Sequence, residues 1–344
     1  MNRWGPALGA VAALAALAGC GPAGFWSEHF RDSLAGEKAV TRRLSGPREL
    51  AMFDGSGRLA LDWADLLEAV RLADVVVVGE RHSDATGHAV ELALAADALR
   101  LWKGTALSME MLTRANQAAV DGYLAGKLTE DEFIQQAGVA DWAGKGTWAK
   151  WYQPLLDAAK AAGARVVAAD APREYVDLAR TGGYTALRRL PEAERGLFDI
   201  PAGDTRGAYY RRFRDEMRDH APPPTPEEKP KPEAAKEPPH AMASREVAAM
   251  FRAQQVWDAT MAASILKAKE GGADRVIHFV GGFHSDFDGG LVRRLRRGAP
   301  GLRVLTISLV PVHTHRLRPE DRARADIVAY TEVFEEGTAP LAAP

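Results

Sequence analysis

Val75-Val76-Val77-Val78-Gly79-Glu80-Arg81-His82 is the stretch on which the reading of this chain turns. Four consecutive β-branched residues offer no polar face to water, so they suit a strand covered on both sides, as in a parallel sheet. The run then breaks at a glycine into polar residues, which places chemistry at the strand's carboxyl end. The pattern recurs along the chain. Residues 106–111 carry Glu110, residues 165–169 lead to Asp170, and residues 276–280 run into Gly281-Gly282-Phe283-His284. Residues 304–310 read as a further strand, and 327–330 as a short one expected at the sheet's edge. Helical patterns lie between them, over about 84–101, 113–125, 129–137, 148–162 and 244–269, and near Leu291. This alternation predicts an α/β fold, a mostly parallel sheet with helices on both faces. The helical stretches at about 113–150 and 185–260 exceed what crossovers need and are expected to form a helical cap subdomain.

In open parallel sheets, ligands sit outside the carboxyl ends of the strands. Glu80, His82, Glu110, Asp170 and His284 are all placed there, far apart in sequence but expected at one rim. The plainer alternative is that these groups cap helices and hydrogen-bond one another. Asp258, in the middle of a helix, needs a partner if buried and is expected to orient a site histidine or cap a neighbouring element. His88 suits a supporting role behind His82. Arg114, four residues after Glu110, is expected to pair with it.

The ends of the chain carry different information. Met1–Gly19 has a short basic start at Arg3 and an Ala-rich apolar run, too short to read as a spanning helix. It ends in Leu17-Ala18-Gly19-Cys20, with Cys20 the single cysteine. One cysteine excludes an internal disulfide and a multi-thiolate metal site. A net charge of −2 provides no basic field for nucleic acid. Residues 221–240 contain eight prolines and are expected to form an extended or disordered insertion. The expected layout is therefore a leader at 1–19, a tether at 20–45, a domain at 46–335 and a tail at 336–344.

Leu17-Ala18-Gly19-Cys20 resembles the lipobox of bacterial lipoproteins. That resemblance implies lipidation at Cys20 and a membrane anchor, with the body on the periplasmic or cell-surface side. Gly21, rather than an aspartate, favours the outer membrane.

The paired Gly-x-x-His turns, with Glu110-Met111, Trp148-x-x-Trp151-Tyr152 and Gln255-x-Trp257-Asp258, resemble the ChaN-like haem-binding lipoproteins over about residues 45–312. These proteins belong to the wider Tiki and erythromycin-esterase-like superfamily. The resemblance implies that fold, and haem binding in haem or iron uptake. The implied cofactor site draws on His82, His284, Tyr209 and Tyr210, with Arg211 in the adjoining basic run toward the propionates. Two further readings stay open. One is a hydrolase of esters or peptides, metal-dependent or acid–base, using Glu80, His82, Glu110 and His284, with a divalent metal on Glu80, His82 and His284. The other is a binding module without catalysis. A homodimer sharing its ligand is compatible with each. The second turn departs from the family's usual Gly-Asn-Gly-His, and Asp170 stands where an asparagine is common.

Overall fold

The computed structural model describes residues 46–201, 207–219 and 244–331. The leader, Cys20, the tether, the proline-rich insertion and the 336–344 tail lie outside the described residues.

The chain opens with strands β1 (Ala51–Asp54) and β2 (Ala60–Leu61), followed by helix α1 (Trp63–Leu72). Strand β3 (Val75–Glu80), helix α2 (Ala85–Leu101) and strand β4 (Thr105–Thr113) come next. Helices α3 (Gln117–Leu124), α4 (Glu130–Ala137) and α5 (Gln153–Ala162) lead to strand β5 (Val166–Asp170). Helices α6 (Arg173–Arg188), α7 (Glu192–Arg195), α8 (Ala208–Asp219) and α9 (Ser244–Glu270) follow. Strand β6 (Arg275–Gly281), helices α10 (Gly282–Ser285) and α11 (Gly290–Gly298), and strands β7 (Val304–Val310) and β8 (Ile327–Tyr330) complete the fold.

Among the described residues, the eight strands form one sheet in the order β2-β1-β8-β7-β3-β6-β4-β5. The six strands from β8 to β5 are parallel, and β1 and β2 add an antiparallel margin. The sheet has helices on both faces, as the alternation predicts. Strand β8 is not the expected edge, because it is paired on both sides, with β7 and β1. The short runs around the Gly55-Ser56-Gly57 turn supply the missing margin, and their shortness hid them from the sequence reading.

Strand pleating distributes the side chains between two cores. Val76 and Val78 of β3 face one core with Leu66 of α1, Leu94 of α2 and Leu155 of α5. Val75 and Val77 face the other, with Met261 and Ile265 of α9 and Leu291 and Leu295 of α11. All four valines are fully buried, each contributing roughly 1.5–3 kcal/mol relative to exposure. By the same alternation Glu80 falls on the α2 face. Among the described residues no helix is long and apolar enough to cross a membrane.

Candidate functional site

Glu80 ends β3 buried, with its carboxylate divided between two directions. Its Oε1 accepts from His82 Nδ1 at 2.6 Å and from the Tyr152 hydroxyl at 2.9 Å. Its Oε2 faces α2, where His88 Nδ1 lies 3.7 Å away. Burial disfavours the Glu80 charge, but the bond from His82 and the nearness of Glu91 and His88 outweigh it and hold the pKa below the ordinary value. Burial also opposes the His82 charge, yet Glu80 and Glu110 raise its pKa. His82 is only half-buried, with the indole of Trp142 edge-on at 4.9 Å. Gly281, the β3-facing partner of Glu80 in β6, makes room for this ring. A Cβ there would lie 2.9 Å from His82 Cε1 and Nε2.

Glu110 occupies the other side of the sheet's rim. Leu107, Met109 and Met111 of β4 pack into the α2-side core, so alternation turns Glu110 to the other face, beside the point where the β4–β5 register slips between Met109 and Thr113. Its Oε2 accepts from the Gly281 N–H at 2.5 Å, and its Oε1 lies 3.4 Å from His284 Nε2. Behind His284, Asp258 Oδ1 is 2.7 Å from Nδ1, and the Gln254 amide contacts the same ring. Burial alone would strip the His284 proton, but Glu110 and Asp258 outweigh it and raise its pKa to about 9. Burial and the neighbouring Glu110 push Asp170 well above the usual carboxylate range. Two carboxylate-held imidazoles, Glu80–His82 and Asp258–His284, thus converge on Glu110 from opposite faces. Such an arrangement can hold and pass a proton at the histidines' Nε2 atoms.

Helix α8 braces this rim. The Arg212 guanidinium donates to the carbonyl of Phe283 at 2.6 Å and to that of Asp286. It also lies over the Phe287 ring at 5.5 Å, with Arg324 at 4.8 Å from the same ring. Phe287 and Asp288 both have left-handed φ, at 54° and 58°. That conformation costs on the order of 1–3 kcal/mol for each such residue, and the two arginines hold the turn that carries His284.

Glu80, His82, Glu110 and His284 are therefore brought to one rim, and Asp258 orients His284 as its mid-helix position suggested. Other expectations are corrected. Arg114 pairs with Asp199 at 2.7 Å rather than with Glu110, because Glu110 lies in a strand where helical spacing does not apply. Glu80, His82 and His284 do not gather as three donors round one point, since Asp258 and Glu110 claim His284. Among the described residues, the three donors that come within 4.8 Å of one another are Glu80, His88 and Glu91. Tyr209 is buried, bonding Asp258 Oδ2 at 2.9 Å and accepting from Gln254 at 3.2 Å, so its oxygen is spent inside the protein. Burial and Asp258 push its pKa well above the usual phenol value, against a phenolate. Tyr210 is half-buried against Phe251, and Arg211 is exposed. Sequence reasoning missed Glu91 and Gln254 and gave Tyr152 no task, since each meets the site only through tertiary packing. A cleft of about 1040 Å3 between α2 and α5 lies at the opposite, amino ends of the strands and holds none of these groups.

A family model described as haem-binding uptake, Tiki superfamily, ChaN matches residues 66–295, which span both glycine–histidine turns. The chain belongs to the ChaN family. A solved structure of cofacial heme binding to ChaN of Campylobacter jejuni is similar at a TM-score of 0.55 and 13% identity. The match covers 82% of this chain and 96% of that one, and at this identity it speaks for the ChaN fold alone. The type III effector HopBA1 (TM-score 0.46, 15% identity, 86% and 99% covered) and a mutant erythromycin esterase EreC in its open conformation (0.39, 12%, 82% and 83%) are looser likenesses and carry no argument. No curated protein matches the ChaN-family chain in sequence.

Proposed function

We propose that this protein binds haem as cargo in haem or iron uptake, tethered to a membrane through lipid on Cys20. The observation that carries the reading is the family match across residues 66–295, which contains the whole rim described above. An iron ligand must reach solvent and keep a lone pair. His82 fits, being half-buried, fixed at Nδ1 by Glu80 and flanked by the Trp142 indole. Tyr209 does not fit, because its hydroxyl is enclosed and occupied. Tyr210 and Arg211, on the outer part of α8, remain available to the porphyrin and a propionate. Hemin titrated into the purified protein is expected to give a shifted Soret band that saturates, and the band is expected to weaken in His82→Ala. A flat titration at micromolar hemin rules the reading out.

The tether has its own check. Cells grown with labelled palmitate are expected to label the protein, and Cys20→Ala to abolish the label. Labelling that survives the substitution removes the anchor, and with it the placement at an outer membrane.

One observation favours a second reading. The two carboxylate–imidazole pairs that converge on Glu110 are equipped for acid–base hydrolysis of an ester or peptide without any further group. Hemin-independent ester turnover that disappears in His82→Ala and His284→Ala would support it over haem carriage.

A further inference from the structure

The Glu80–His88–Glu91 cluster lies behind the rim, on the α2 face of the sheet. All three side chains are buried, at 2%, 3% and 0% exposure. Burying two carboxylates together is costly unless something positive stands between them. Among the described residues, no lysine or arginine pairs with either one. His88 Nδ1 bonds Glu91 Oε2 at 2.9 Å, and His88 Nε2 lies 3.2 Å from the His82 carbonyl oxygen. Glu80 Oε2 and Glu91 Oε1 are left with no hydrogen-bond partner. Two enclosed carboxylate oxygens thus stand close to one imidazole with no hydrogen-bond partner of their own.

We propose that Glu80, His88 and Glu91 form a buried site for a divalent first-row cation, separate from the Glu110–His284 pair. One imidazole nitrogen and two carboxylate oxygens suit Mn2+, Fe2+ or Zn2+. Donor atoms within 4.8 Å of one another can close on an ion at bond lengths of about 2.0–2.2 Å with small side-chain movements. Trp151 stacks on the His88 ring at 4.5 Å and 18°, and Tyr152 bonds Glu80, so the walls that would hold the donors in place are already built. An ion there would tie the β3 end to α2 and, through Glu80 Oε1, fix His82.

The full chain, stripped with chelator and dialysed against Mn2+ or Zn2+ alone, tests it by metal content and thermal melting. Wild type is expected to retain about one equivalent and to melt higher when loaded. Glu91→Gln, nearly isosteric, is expected to weaken the affinity at least about tenfold and to lose the melting shift, whereas His284→Gln keeps both. An absence of retained ion in wild type, full-strength binding in Glu91→Gln, or loss in His284→Gln alone overturns the site. Should Glu91→Gln misfold, X-ray absorption on the Zn2+-loaded wild type decides. One imidazole among oxygen donors supports the assignment, and two imidazoles overturn it.

Discussion

His284→Asn is expected to flatten the alkaline side of the protein's stability profile, while His278→Asn flattens the acidic side. The two histidines sit on neighbouring parts of β6 and α10 but are perturbed in opposite senses. His284 has its folded pKa raised to about 9 from an ordinary 6.5, with burial opposing the charge and Glu110 and Asp258 favouring it. A raised pKa means that the folded state holds a proton the unfolded chain has released. Its stabilisation is complete below pH 6.5 and is lost as pH rises through 9. His278 is fully buried, close enough to the His284 charge to feel it, and its pKa falls to about 3. Its contribution is complete above pH 6.5 and is lost as pH falls toward 3. Each limb is worth on the order of 3 kcal/mol or more. Glu91 and Asp170, both held well above the usual carboxylate range, and Asp326, raised to about 6, act in the sense of His284 from near pH 4 upward. The diagnostic quantity is therefore the difference between wild type and variant in chemical denaturation at each pH. Parallel curves for wild type and His284→Asn above pH 6.5 would contradict the geometry of the Glu110–His284–Asp258 cluster. Asparagine at 278 is chosen because it can still bond the Ser108 hydroxyl that meets His278 Nδ1 at 2.9 Å.

Asp258→Ala is expected to destabilise the protein by about 3–5 kcal/mol, the cost of breaking a buried, hydrogen-bonded charge pair. Asp258 is fully buried and serves two groups at once, His284 through Oδ1 and the Tyr209 hydroxyl through Oδ2. Alanine removes both bonds and opens a void between α8, α9 and α10. Asp258→Asn preserves shape and one hydrogen bond, so its cost is expected to be smaller, and it lowers the His284 pKa by removing one of the two carboxylates that sustain it. Urea denaturation gives the first number and imidazole NMR titration the second. A cost for Asp258→Ala within 1 kcal/mol of that for an exposed-site alanine substitution would show that His284 does not depend on α9.

Much of this architecture is written locally. The valine run of β3 has no exposed face to offer, and the glycines at 79, 281 and 282 mark where strands stop, so strand ends and the two histidine turns are legible from spacing. The helix at Ser244–Glu270 was legible for the same reason, because a long periodic pattern closed by Gly271-Gly272 leaves few alternatives. The hairpin at β1 and β2 was not, because strands of four and two residues carry too little periodicity to stand above background. Arg114 was misassigned because an i,i+4 rule presupposes a helix that β4 does not form.

What the sequence determined by itself was a parallel sheet with polar strand ends, since backbone preference and apolar patterning act over a few residues. The allocation of those polar ends belonged to tertiary structure. Pleating sends Glu80 toward α2 and Glu110 to the opposite face, and Tyr152, Glu91, Gln254 and Asp258 arrive from other elements, up to 72 residues away from the groups they hold. No local rule encodes such meetings, because their energy comes from charges and hydrogen bonds that exist only once the helices have closed water out of the rim.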